Sequence, residues 1–190
     1  MNIFYLHENP KICAQYHVDK HCVKMIVETC QLLSSAHRYL DGHQIVGHTR
    51  TGRKAKRWVL PDYRETQLYH ATHINHPSTV WTRQSKANYL WLHSLLMELL
   101  KEYTYRYEKE HKCTVLAEAL KTPPTNIADV PFTEPTPAMP DEYKIPGNSL
   151  QSYHNYYNGE KQRMFNWKKR QAPEFINNNN ILTKDNYASV

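Results

Sequence analysis

The segment KICAQYHVDKHCVKMIVETCQLLSSAHRYL, residues 11–40, contains neither proline nor glycine and repeats apolar side chains at Val18, Cys22, Met25, Ile26, Leu32, Leu33 and Ala36. Spacings of three and four residues are the period of an amphipathic helix, so the stretch predicts one long helix over 11–40. Asn9 and Pro10 ahead of it suit a helix entry, and Asp41 and Gly42 behind it supply a stop. A second pattern follows Pro77, with Trp81, Asn88, Trp91, Leu92, Leu95, Leu96, Leu99, Leu100 and Tyr103 on one broad face and no Pro or Gly before Pro123. Two such helices bury their stripes against each other.

The remaining chain is arranged around this pair. Residues 42–60 carry three glycines and five cations between Arg50 and Arg57, which reads as an exposed basic connection or short hairpin. Short helices are expected over 61–69 and 114–120, and a last helix over 149–170. Seven of the eleven prolines fall between Pro123 and Pro146, a stretch suited to wrapping the helical core. The expectation is a mainly α fold: one compact helical bundle over 1–175 with two long helices and a Pro-rich wrapping loop. Residues 176–190, with four consecutive asparagines, are expected to form a flexible tail.

The chain's 190 residues fit one domain with a real core. Cys13, Cys22, Cys30 and Cys113 form no C-x-x-C pair, and no apolar run reaches 18 residues. The start, MNIFYLHENP, lacks the pattern of a signal peptide, so an intracellular protein is expected, with no membrane association. Twenty-four Lys and Arg against eighteen Asp and Glu give +6, which favours an anionic partner. Fourteen Tyr and four Trp beside those cations suit stacking on unpaired bases, although tyrosines also rim small cores.

Three constellations could carry chemistry. On a continuous first helix His17, His21, Lys24 and Glu28 fall within about 60° of one another, a polar stripe fit to line a cleft or simply to face solvent. The His17 and His21 spacing could also chelate a metal, with Glu28, His37, His73 or His76 completing the set. Next, His73, Asn75 and His76 precede a helix start followed by Arg83 and Lys86, an arrangement that suits phosphate and also suits an ordinary capped turn. Last, Tyr153, Tyr156 and Tyr157 lead into Lys161, Arg163, Lys168, Lys169 and Arg170, where rings could stack on bases or pack into the core. Arg53 and Lys54 in the basic connection are candidate phosphate contacts. Cys22 beside His21 falls on the apolar arc and reads as a core residue. Serine-hydrolase, P-loop and dinucleotide motifs do not occur.

The lead into a helix bearing His17, the His-rich turn opening a second long helix, and Tyr156 and Tyr157 followed by a basic segment with Trp167 resemble the pyrimidine dimer DNA glycosylases and small phage-encoded proteins. The likeness covers residues 1–110 loosely and the 150–175 region more weakly. It implies a DNA repair enzyme that extrudes a base, cleaves the N-glycosidic bond with an amine nucleophile and nicks the abasic strand as a lyase, without a cofactor. In that family a His on the first helix is followed two turns later by the catalytic Glu. Here Lys24 stands at that position and Glu28 lies one turn further. The family's nucleophile is an amine exposed by Met removal, which Asn2 disfavours, so Lys24 is the substitute expected to form a Schiff base if desolvated. Glu28 would then shuttle protons, His17 and His21 would position sugar or phosphate, and Arg83 and Lys86 would clamp the backbone. A metal-dependent hydrolase or nuclease using His17 and His21, and a non-catalytic nucleic-acid or protein-binding phage factor, stay open beside it.

Overall fold

A computed structural model describes residues 1–176. Seven α-helices and one hairpin occur among them, in the order α1 (Pro10–Tyr16), α2 (Asp19–Asp41), β1 (His43–His48), β2 (Lys54–Val59), α3 (Arg64–Gln67), α4 (Pro77–Gln84), α5 (Lys86–Tyr107), α6 (Thr114–Ala119) and α7 (Ser149–Glu160). The fold is mainly helical and forms a single domain, with the long helices α2 and α5 packed together. Met25, Ile26, Leu32 and Leu33 of α2 meet Leu92, Leu95, Leu96 and Leu99 of α5 in a core from which water is excluded. The expected tail lies, apart from Ile176, outside the described residues.

The predicted first helix is broken. α1 ends at Tyr16, and His17 and Val18 are extended, with ψ values of 130° and 155°. No proline or glycine marks the break, and the cause is tertiary. The guanidinium of Arg106, on α5 and fully buried, donates to the carbonyls of Gln15 at 2.9 Å and His17 at 2.8 Å and to the Asp19 carboxylate at 2.9 Å. Carbonyls turned out of the helix direction toward a buried cation find their partner there in place of a helical ladder. The second predicted helix is likewise two, split at Ser85 (φ −144°, ψ 138°). The Ser85 hydroxyl caps α5 through the Ala87 amide and donates to the Val130 carbonyl at 2.6 Å.

α7 stops at Glu160, ten residues earlier than the sequence pattern suggests. The chain beyond it is drawn to the α1–α2 corner instead. The Asp19 carboxylate accepts from the Lys168 amide and the Asn166 side chain, and Trp167 donates to the Tyr16 carbonyl at 2.9 Å. The Pro-rich segment does wrap the bundle. Asn88 exchanges two hydrogen bonds with Thr133, the buried Trp81 donates to the Thr133 carbonyl at 2.8 Å, and Ser149 donates to the Pro135 carbonyl. Buried polar side chains of α4, α5 and α7 thus satisfy a backbone that has no ladder of its own.

The basic connection is an antiparallel hairpin with His43 opposite Val59 and His48 opposite Lys54. Its base is fixed by Arg38, buried at the end of α2, which donates to the carbonyls of Trp58, Glu65, Leu68 and Tyr69 and to the Glu65 carboxylate. Gly42 lets the first strand leave the helix. A Cβ there would lie 2.5 Å from the Arg38 carbonyl oxygen and 2.9 Å from that of Val59. Gly42→Ala is therefore expected to destabilise by roughly 1–3 kcal/mol, an overpacking cost. A urea midpoint unchanged from that of the parent protein would contradict this.

Candidate functional site

The helix break reorganises the predicted polar stripe. His17 is not on α2 at all. It closes α1, fully buried, with Nδ1 donating to the Cys13 carbonyl at 2.7 Å. Burial and then the nearby Arg106 hold its pKa at about 4, against the stabilising Cys13 contact. His21, Lys24 and Glu28 stay together on α2 and line a cleft of about 490 Å³. The other walls come from Met1, Asn2 and Phe4, from Ala138 of the Pro-rich wrap, and from Tyr156, Lys161, Arg163 and Met164 at and after the end of α7. Four side-chain cations, Lys20, Lys24, Lys161 and Arg163, face one carboxylate there. This volume suits a small molecule or one nucleotide, and this charge suits an anion.

The floor of the cleft is aromatic. The Phe4 ring stacks on His21 with centroids 4.1 Å apart and planes within 18°, and lies nearly parallel to Tyr156 at 6.2 Å. Phe4 holds this place with φ at +53°, a conformation that costs a bulky L-residue energy and that concentrates at functional sites. Asn2 anchors the turn: its side-chain oxygen accepts the Ile3 and Phe4 amides, and its side-chain nitrogen donates to the Ala138 carbonyl. The ammonium of Lys161 sits 4.2 Å from the Tyr156 ring centroid and donates to its hydroxyl at 2.9 Å.

His21 is a neutral imidazole. Burial first, then His17, Lys161 and Lys24, push its pKa down to about 3. Its Nδ1 is 2.7 Å from the hydroxyl of Tyr157, a phenol that burial holds well above its usual range. The Tyr157 hydroxyl is fully buried and, among the described residues, His21 Nδ1 is the acceptor within reach of its proton, so Tyr157 donates to Nδ1 and the ring hydrogen stays on Nε2. His21 therefore offers the cleft a neutral N–H donor beside several cations. Glu28, whose side chain is 14% exposed, accepts the Asn2 amide at 3.0 Å and pairs with Lys24 at 3.1 Å.

Of the residues singled out in the sequence, the cleft gathers His21, Lys24, Glu28, Tyr156, Lys161 and Arg163. Lys24 is not desolvated as expected: its side chain is 66% exposed at the mouth. Tyr153 offers no face to a ligand, because it is fully buried and packs edge-on to Phe4. His76 caps α4 by accepting the Ser78 amide at 3.2 Å. Burial lowers its pKa, as do the Met1 amino group and His73, while Glu28 opposes them, which places this turn next to the carboxylate end of the cleft. His73 and Asn75 are exposed on the turn, and His73 adopts φ +48°. Arg83 lies flat on the Tyr39 ring at 4.0 Å and donates to the Ile74 carbonyl, so it braces the turn. Lys86 faces Asp129 of the wrap at 3.5 Å. Arg53 and Lys54 stand on the hairpin.

The chelating pair is also undone. His17 and His21 belong to different elements, with Nδ1 atoms committed to Cys13 and Tyr157, and His37 is held between Tyr89 and Arg64. Among the described residues no three His, Cys, Asp or Glu side chains converge as a metal site would require. Cys22 is a buried thiol pushed up to about 12 by burial, which makes it inert.

Sequence reasoning missed Phe4 and Lys20, and it missed the partner of Tyr157. Phe4 sits in an apolar run with no periodicity, and Lys20 reads as one surface lysine among many. Tyr157 was recognisable as a core candidate, but its partner lies 136 residues away. Comparison with protein-family models, with curated proteins and with solved structures finds no match.

Proposed function

We propose that the protein acts on a nucleic-acid strand, DNA by preference, holding one nucleotide unit in the cleft and working as a glycosylase and abasic-site lyase. The observation that carries this is the aromatic floor of Phe4, His21 and Tyr156 set beneath four cations. The partly exposed Tyr156 ring, backed by the buried Phe4 and His21 rings, takes a base or sugar, and the cations take the flanking phosphates. The neutral Nε2–H of His21 donates to a sugar or phosphate oxygen.

Lys24 supplies the amine and Glu28 the proton acceptor 3.1 Å from it. A strand laid across the mouth of the cleft covers Lys24 and excludes the water that now surrounds it, which favours proton transfer to the carboxylate. The neutral Nζ then attacks C1′ of the abasic aldehyde. A C–N bond forms, the carbonyl oxygen leaves as water, and an imine remains.

The exposure of Lys24 favours one other reading, a binding module that holds the strand without turning it over. Borohydride reduction in the presence of abasic DNA separates the two. Trapping of a covalent adduct that disappears in Lys24→Ala is expected. No adduct in the parent protein, with binding retained, leaves only the binding module, and an adduct indifferent to Lys24→Ala removes Lys24 from the chemistry.

A further inference from the structure

Outside the cleft, the hairpin carries a block of five cations within eight residues. Arg50, Arg53, Lys54, Lys56 and Arg57 form no ion pair with any described residue. The two strands pair only with each other, and nearly every position of β1 is exposed. An isolated two-stranded ribbon is marginal in water, and like charges on one face weaken it further. Val46, opposite Lys56, is 71% exposed, which solubility alone does not call for.

The register sorts these side chains. Residues directly opposite share a face and alternate along the strand, so Lys54, Lys56 and Trp58 share one face with His48, Val46 and Gln44. At the base of that face Trp58 meets Tyr39 of α2 at 5.9 Å, and Arg83 covers Tyr39. Tyr39 belongs to the same α2 stripe as Lys24, Glu28 and Ser35, and Ser35 accepts the Thr72 amide of the His-rich turn at 3.1 Å. A single track thus runs from the cleft past His76 and His73 to Arg83, Tyr39 and Trp58, and on to the ribbon. From Lys24 to Tyr39 it covers about 22 Å of helix, and the ribbon adds about 20 Å.

We infer that the ribbon face bearing Lys54, Lys56 and His48, with the Trp58, Tyr39 and Arg83 tier at its base, binds the phosphate backbone of duplex DNA flanking the nucleotide in the cleft. This rests on the cleft being a nucleotide site. A two-stranded ribbon has the width to enter the major groove, and unpaired like charge is what a polyanion relieves. At 3.4 Å per base pair the ribbon begins roughly six pairs from the cleft.

The test uses the full chain and fluorescent DNA with one abasic site, flanked by single strand or by duplex of six or twelve pairs, titrated by anisotropy at several salt concentrations. Binding is expected to tighten as the flank reaches twelve pairs. In a variant with Lys54→Gln and Lys56→Gln that gain should vanish, and the slope of log affinity against log salt should fall by about 0.9 for each contact removed. Binding of the single-stranded probe should stay unchanged. A variant that keeps the flank dependence and slope of the parent overturns the inference, and equal weakening on single strands overturns the duplex preference. If Lys24→Gln with Lys161→Gln weakens binding while the ribbon variant does not, the cleft reading survives alone. Loss on the ribbon variant only supports the ribbon and removes the cleft, and no binding by the parent overturns both.

Discussion

Arg106→Ala is expected to lower the unfolding free energy by about 3–5 kcal/mol, the cost of breaking a buried ion pair from one side. Arg106 is fully buried and donates four hydrogen bonds, to Glu102 at 2.7 Å, Asp19 at 2.9 Å and the carbonyls of His17 and Gln15. Removal leaves Glu102, 3% exposed, with Arg170 alone, and leaves two carbonyls at the α1–α2 corner without a donor. In a domain of this size the melting temperature should fall by roughly 10 °C. Arg106→Lys keeps the charge, but its ammonium cannot fork to four acceptors, so it should recover only part of the loss. A loss below about 1 kcal/mol in Arg106→Ala would show that the corner is held by apolar packing instead. Because the corner sets where α2 begins, the same variant should also loosen the cleft floor that His21 shares with Phe4.

Acid should unfold the protein through its buried imidazoles before its carboxylates titrate. His17 and His37 are held at about 4 and His21 at about 3, all chiefly by burial. The geometry agrees. Arg64 can only donate, so its contact with His37 Nδ1 at 2.9 Å needs the neutral ring, whose Nε2–H faces the Tyr89 hydroxyl. The Nε2 of His17 is buried with no hydrogen-bond partner, and a proton there would put a charge in the core near Arg106, a cost that the Ile3 backbone and Glu102 offset only in part. Since these folded values lie below the ordinary histidine value of 6.5, the unfolded chain binds more protons between about pH 6.5 and pH 4. Their contribution is therefore fully present above pH 6.5 and is lost as pH falls. Near pH 5 three protons give a slope of about 4 kcal/mol per pH unit, and the loss from pH 7 is on the order of 5 kcal/mol. The lowered carboxylates Asp41, Glu65 and Glu102 add to this only at more acid pH. Urea titrations at pH 7, 6 and 5 measure the slope directly. A slope corresponding to one proton or none would mean that these rings do not stay neutral.

The candidate site was legible where it sits on one helix and illegible where it is assembled. His21, Lys24 and Glu28 share a face because their spacing is helical, whatever the rest of the chain does. His17 carried the same spacing and was misplaced, since nothing within residues 11–40 shows that Arg106 ends α1 at Tyr16. Tyr153 and Tyr156 look alike in sequence. One is sealed in the core and the other lines the cleft, a difference set by the N-terminal segment that packs on α7.

The amino-acid order by itself determined the helical class, the pairing of two long amphipathic elements, the basic hairpin and the wrap of the Pro-rich stretch. Each follows from local periodicity or local backbone chemistry, which act over a few residues. Where the helices break, which imidazoles lose their charge, and that Phe4 meets His21 and Tyr156 under a ring of cations were decided only by tertiary structure. Those outcomes depend on burial and on partners up to 136 residues apart, and desolvation exists for a side chain only once the chain has closed around it.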